Sequence, residues 1–309
     1  MKKTKILLIT IISVALAIIV FIGGFFAANS IGENNYWNSP VSKDIVSIGN
    51  YDEKTMADMM SEYDEGEQEC IDAVNKNSSS IPAHYKKLVS EINSHIANYY
   101  QEKYSIDVSE RLDNLNLKQI DFPIEGIAGY YNNYQGDNVI YMDNDIFSDE
   151  GVDLYSCSDF ISAYIHETNH YLGTTEIGSG NLAYIFEGFT EYLTIEILDY
   201  SKLVENYADQ AAYTQCVAIV KEMLKVSPEI VKHLIENGGK YDLEKELNSA
   251  FDGQGFADQL NCSLQDLLAG DDSSAYTVQL LGNEYLKACG ANDSDLDLCS
   301  NFGFKWLLN

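Results

Sequence analysis

The sequence predicts an α+β fold with a small sheet followed by a mostly helical C-terminal half. After Pro123 the stretch GIAGYYNNYQGDNVIYMD holds two β-rich segments around an Asn/Gln/Gly/Asp turn, which is the pattern of a hairpin. From Ser158 to the C-terminus, four or five helical segments follow, with glycines near their ends. Residues 51–120, upstream of the hairpin, are strongly acidic and also have a helical pattern.

One upstream helix is predicted in detail. Ser80 is a suitable N-cap, and Pro82 is favoured in a first helical turn. The apolar residues then recur at helical spacing through Leu88, Ile92 and Ile96 to the pair Tyr99-Tyr100. We therefore expect this helix to bury one face.

The N-terminus predicts a membrane anchor. Three lysines precede an uncharged apolar run at residues 6–26, which is long enough as a helix to cross a bilayer core of about 30 Å. The lysines should remain cytoplasmic, so we expect a single-pass protein of the cell membrane with an extracellular body. Ala27-Ala28 leaves open the alternative of a cleaved signal and a secreted protein.

Changes in composition divide the chain into four parts. Residues 1–30 form the signal anchor, and the polar residues 31–50 form a stalk. Residues 51–120 are the acidic helical region, and residues 121–309 form the remaining domain, with the hairpin and the later helices.

The charge balance excludes one class of partner. The chain has 19 Lys and Arg residues against 48 Asp and Glu residues, a formal net charge of −29. Nucleic-acid binding requires a basic face, so we expect no nucleic-acid partner.

The six cysteines permit disulfides, because their number is even and the expected compartment is oxidising. Cys289 and Cys299 flank a polar loop and are the simplest local pair. The alternative is that some cysteines are buried thiols that act as small apolar residues.

The strongest chemical signal is the sequence His-Glu-Thr-Asn-His at residues 166–170. Histidines four residues apart share one helix face, so the rings of His166 and His170 can reach one tetrahedral zinc ion. Glu167 lies one step round the helix, where its carboxylate can act as a general base towards water activated by the ion.

Two histidines leave such a site one protein ligand short. Glu187 and Glu191 follow on a second helical stretch from Leu182 to Leu198, and their spacing places them on one face. One can bind the ion while the other accepts the remaining N–H of a ligand histidine. We expect Gly188 to let this helix approach the His-bearing helix closely.

H-E-x-x-H followed by E-G-F-T-E on a helix resembles the gluzincin zinc peptidases, the thermolysin-like and aminopeptidase-N-like superfamily. The resemblance covers about residues 125–200 and implies a zincin-like catalytic domain with the sheet beside the H-E-x-x-H helix. It implies that His166, His170 and Glu187 bind zinc, that Glu167 is the base, and that Glu191 supports a ligand.

The resemblance also implies two further elements. Zincins present an edge strand to an extended peptide substrate, and here that strand would be Val139, Ile140, Tyr141 and Met142. A downstream His or Tyr stabilises the oxyanion in gluzincins. His233 is the downstream histidine, and Tyr213 and Tyr241 are further candidates.

Three alternatives stay open on the sequence alone. Residues 166–176 also fit a metzincin-like pattern, in which Glu176 would be the third ligand, although Gly173 is explained more simply as a helix C-cap. A surface binding module or pseudo-peptidase with a structural zinc is the rival to an enzyme. Acidic clusters such as Asp143-Asn144-Asp145 make Ca²⁺ possible, but they lack the glycine and glutamate of an EF-hand loop.

Overall fold

The computed structural model describes residues 68–76, 78–123, 127–131, 138–147, 157–174, 182–209, 211–237, 243 and 256–268. The predicted α+β class is confirmed, since these residues form a small mixed sheet and are otherwise mostly helical. No helix in these ranges is both long and apolar enough to cross a membrane. The predicted anchor, the stalk and the Cys289–Cys299 pair all lie outside the described residues.

The α-helices and the strands of the described residues have the following bounds. The helices are α1 (68–76), α2 (Tyr85–Tyr104), α3 (Ser109–Asp113), α4 (Ser158–Asn169), α5 (Ala183–Ser201), α6 (Thr214–Val226), α7 (Ile230–Asn237) and α8 (Phe256–Leu268). The strands are β1 (Ser79–Ser80), β2 (Asn116–Ile120), β3 (Gly129–Tyr131) and β4 (Val139–Asp143).

The chain divides into two compact units. One comprises Met60–Val217 and Glu229–Asp242, and it contains the sheet and helices α1 to α5 with α7. The other comprises Met1–Met59, Ala218–Pro228 and Leu243–Asn309, and its described part includes α8, which buries Leu260 and Leu264. All the residues of the candidate site belong to the first unit.

Helix α2 has the buried face that its sequence predicts. Leu88, Ile92 and Ile96 are at most 4% exposed. The predicted start is wrong, however, because the helix begins at Tyr85 and Ser80 lies in strand β1. Ser80 pairs with Lys118 of β2, so sheet pairing prevails over its capping propensity.

The sheet has the order β1-β2-β4-β3. The predicted hairpin is confirmed, since β3 and β4 pair antiparallel. Strand β2 pairs parallel with β4 along its whole length, from Asn116↔Val139 to Ile120↔Asp143. The prediction for residues 51–120 contained no strand, and β1 and β2 both come from that region.

The prediction that Val139, Ile140, Tyr141 and Met142 form an edge strand is wrong. These residues make up most of β4, which has β2 on one side and β3 on the other. All four are buried. Both sets of main-chain groups on β4 are therefore used within the sheet, and β3 is the outer strand of the described sheet next to α4.

Helix α4 packs against α5 and β3 and passes into a π-helical turn at His170–Thr174. Gly173 in this turn has φ 147°, and a Cβ there would lie 2.3 Å from the Leu234 carbonyl oxygen. Only glycine fits this conformation and this close approach to α7. The C-cap interpretation of Gly173 missed the second requirement.

Arg111, the only arginine of the chain, fastens the same turn. Its guanidinium donates to the carbonyl oxygens of Tyr171 (3.1 Å) and Leu172 on the turn, and to that of Ile235 on α7 (2.9 Å). The Tyr171 hydroxyl donates in return to the Arg111 carbonyl. One planar side chain thus satisfies carbonyls at the ends of two helical segments.

Candidate metal centre

Helices α4 and α5 bring three side chains to one point. His166 Nε2 lies 3.1 Å from Glu187 Oε2, and His170 Nε2 lies 3.5 Å from the same oxygen. The potential ligand atoms of the three residues all lie within 4.8 Å of one another. These are the three ligands expected from the sequence, and as a group they could hold a metal ion.

The spacing suits a tetrahedral ion. Two ligand atoms at about 2.0–2.1 Å from such an ion are about 3.4 Å apart, which is close to both histidine–glutamate separations. The three side chains are 13–17% exposed, so the site is sheltered without being sealed. Two imidazoles and a carboxylate are a donor set that Zn²⁺ accepts in catalytic sites.

The first histidine is held by a buried carboxylate. His166 Nδ1 donates to Glu191 Oε2 at 2.8 Å, and Glu191 is 1% exposed. The Tyr207 hydroxyl donates to the other oxygen of Glu191 at 2.9 Å. With Nδ1 protonated by this contact, Nε2 is left to bind an ion. Glu191 therefore lies where the sequence predicts a supporting acid.

The second histidine is held by a hydroxyl that the sequence analysis missed. His170 Nδ1 lies 3.1 Å from Thr190 Oγ1, and Thr190 is fully buried. The signal was available, because Thr190 follows Glu187 by three residues and so shares its helix face.

Charges within the group act on one another. Burial opposes protonation of His166, but its hydrogen bonds to Glu187 and Glu191 outweigh that cost and raise its pKa well above the usual value. Burial likewise disfavours the charged form of Glu187, yet the nearby His170 and His166 hold its pKa well below its usual range. The carboxylate of Glu187 is consequently ionised, as metal binding requires.

Glu167 lies against the sheet and outside the ligand group. It is 7% exposed, and this burial raises its pKa. The backbone N–H of Tyr131 in β3 donates to its carboxylate. Gly129 provides the space for the Glu167 side chain, since a Cβ at this position would lie 2.6 Å from Glu167 Cγ. A glycine inside a predicted strand is the sequence signal for such a close approach.

The register of the hairpin turns two residues of β3 outward. Asp143 N donates to the Ala128 carbonyl at 2.9 Å, and Gly129 is aligned with Met142 and Tyr131 with Ile140. Since antiparallel pairs alternate between hydrogen-bonded and non-hydrogen-bonded positions, the main-chain groups of Gly129 and Tyr131 face away from β4. The contact from Tyr131 to Glu167 agrees with this.

The three candidates for an oxyanion-stabilising residue lie in different places. Tyr213 stacks on His166, with ring centroids 6.1 Å apart and planes at 24°. Its φ of 49° is unusual for a side chain of this size. His233 is on the exposed side of α7, opposite the buried residues Val231 and Leu234. Tyr241 lies outside the described residues.

Three smaller expectations can also be compared with the structure. Gly188 does not face α4: a Cβ there would lie 2.8 Å from the Cys216 carbonyl oxygen at α6. Cys216 is a buried free thiol, as the alternative to disulfides expects. In the Asp143-Asn144-Asp145 cluster, the Asp143 carboxylate accepts hydrogen bonds from the N–H groups of Phe122 and Asp145, so it caps a turn.

Comparison with protein-family models, with curated proteins and with solved structures finds no match to this chain. The function must therefore be inferred from the residues of the site. Glu176, the ligand of the metzincin-like alternative, lies outside the described residues.

Proposed function

We propose that this protein is a zinc-dependent peptidase of the gluzincin type, with a zincin-like catalytic domain. The observation that carries the proposal is the position of Glu167. It lies next to a His-His-Glu ligand group but points a buried carboxylate at the sheet edge. A structural metal site has no need for such a group, whereas a hydrolytic site needs a base.

His166, His170 and Glu187 would hold the ion. When bound, zinc lowers the pKa of water and polarises a carbonyl group. Glu167 takes the proton from the attacking water on its carboxylate and passes it to the leaving amine.

The outward-facing main chain of β3 is suited to an extended substrate. The N–H and carbonyl of Gly129 and the carbonyl of Tyr131 can pair with a peptide by β-augmentation, while the Tyr131 N–H is used by Glu167. This assigns to β3 the role that the sequence analysis gave to Val139–Met142. Tyr213 replaces His233 as the preferred oxyanion donor, because its ring packs on a ligand histidine.

The test of activity is a quenched-peptide library and casein, each offered to the full-length protein with and without a chelator. Hydrolysis that stops on chelation and returns with added Zn²⁺ supports the proposal. Zinc bound without hydrolysis of any member would favour the rival, a binding module with a structural ion.

The proposed location is the outer face of the cell membrane, with residues 6–26 in the bilayer. Protease added to intact cells should then degrade the body of the protein, and the mature chain should keep residues 1–26. A mature N-terminus close to Asn29 would instead show a cleaved signal and a secreted protein.

A further inference from the structure

Behind the metal centre, a hydrogen-bond network of buried polar side chains connects three helices. The members are Tyr100 on α2, Asn169 on α4, and Thr190 and Thr194 on α5, and each is fully buried. The Tyr100 hydroxyl donates to Asn169 Oδ1 at 2.8 Å. Asn169 Nδ2 in turn reaches Thr194 Oγ1 at 3.2 Å and the Thr190 carbonyl oxygen at 3.4 Å.

This network ends at His170, one of the proposed metal ligands. Thr190, whose carbonyl takes part in the contact with Asn169, has its own Oγ1 3.1 Å from His170 Nδ1. The Thr194 hydroxyl also donates to the Thr190 carbonyl, at 2.8 Å. Thr190 is thus fixed through its main chain by two partners while its hydroxyl fixes the imidazole.

The location of the network lets it control the separation of α4 and α5. His170 comes from the end of α4 and Glu187 from α5, so one ion can be shared only if the two helices keep their separation. Asn169 bridges these helices one residue before His170, and Tyr100 orients its amide from α2. Buried polar groups held on both sides in this way define a geometry more sharply than apolar contacts do.

We propose that Asn169, oriented by Tyr100, and Thr190 are positioning residues for the metal ion. They fix the His170 ring and the spacing between α4 and α5 that lets His170 and Glu187 bind together. This inference rests on the proposed zinc site. It concerns metal affinity, which can be measured without any substrate.

The molecule contains a matched control. The Tyr164 hydroxyl of α4 donates to Asn93 Oδ1 of α2 at 2.8 Å, the same distance as between Tyr100 and Asn169. Both contacts join a tyrosine to an asparagine across the same two helices. Only the Tyr100 contact continues to α5 and to a ligand histidine. Each substitution to Phe removes one hydroxyl hydrogen bond, but Asn169 is fully buried and Asn93 is partly exposed, so Tyr100→Phe should cost more stability, and it alone should affect the metal.

The experiment measures the zinc dissociation constant of the full-length protein by competition with a chromophoric chelator, alongside the melting temperature of the zinc-free form. Thr190→Val should raise the dissociation constant about 10–100-fold. Thr190→Ser should retain most of the wild-type zinc affinity, because it keeps the hydroxyl. Tyr100→Phe should raise the dissociation constant about three- to tenfold, while Tyr164→Phe should leave it within about twofold.

The outcomes separate this inference from the proposed function. If Tyr100→Phe and Tyr164→Phe change zinc affinity equally, or Thr190→Val binds zinc as well as Thr190→Ser, the positioning role is wrong and the zinc site stands. If the wild-type protein binds no zinc, the proposed function and this inference fail together.

Discussion

Helix α5 and strand β3 both pack against α4, and they contribute to the site in different ways. Helix α5 acts through side chains: Glu187 completes the ligand group, and Glu191 and Thr190 hold the two histidines. Strand β3 acts through its main chain and a missing side chain, since Tyr131 N–H contacts Glu167 and Gly129 leaves space for it. Under the proposed function, α5 (the helical wall) would hold the metal, and β3 (the sheet wall) would position the base and the substrate.

This difference predicts two kinds of failure. Changes on the helical wall should alter metal binding, and activity should fall with it. Changes on the sheet wall, and at the base that touches it, should reduce activity while the metal remains.

The largest effect is expected for Glu187→Ala on the helical wall. Two histidines alone make a poor zinc site, so stoichiometric zinc should be lost after dialysis, and hydrolysis with it. Glu176→Ala is the control and should change zinc content little. If Glu176→Ala empties the site and Glu187→Ala does not, the metzincin-like alternative takes the place of the gluzincin proposal.

Glu167→Gln should give the opposite pattern. The amide keeps the size of the side chain but cannot accept the proton, so hydrolysis should fall by about 10²–10⁴-fold. Zinc content should equal that of the wild type, because Glu167 is not in the ligand group. Turnover close to that of the wild type would remove Glu167 from the mechanism.

Gly129→Ala tests the sheet wall alone. The new Cβ would lie 2.6 Å from Glu167 Cγ, so the Glu167 side chain would have to move. A base misplaced by about 1 Å costs about 100-fold in rate. Zinc affinity should stay unchanged. A parallel fall in zinc affinity and activity would show that β3 and α5 do not act separately.

The smallest change is expected for Glu191→Ala. His166 loses the carboxylate that fixes its ring, so zinc affinity should fall about 10–100-fold while a bound ion still supports hydrolysis. Zinc content at saturating metal, with activity measured in the same sample, checks this. Unaltered affinity would mean that Glu191 only fills space beside His166.

The same comparison explains what could be predicted from the sequence. Spacings of three and four residues within each helix fix which side chains share a face, so the sequence predicts that His166, His170, Glu187 and Glu191 lie together, as they do in the structure. Thr190 obeys the same rule and was overlooked because a threonine between two glutamates is an ordinary helix residue.

Sheet neighbours do not follow from local spacing. Residues Val139–Met142 show no clear alternation of polar and apolar side chains, as is usual for a central strand. Their second partner, β2, comes from before the hairpin. The role of Gly188 was misjudged for a similar reason, since its close neighbour Cys216 lies on another helix. The contacts of Tyr100 and Arg111 join residues more than 50 positions apart, which no periodicity reveals.

The proposed function requires one metal ion, held between α4 and α5, for peptide hydrolysis. It is tested most directly by adding Zn²⁺ stepwise to the metal-free full-length protein while following bound zinc and the cleavage of a quenched peptide. Hydrolysis should rise in proportion to bound zinc and stop rising at one ion per chain. Saturation with one ion and no hydrolysis, or hydrolysis without bound zinc, would contradict it.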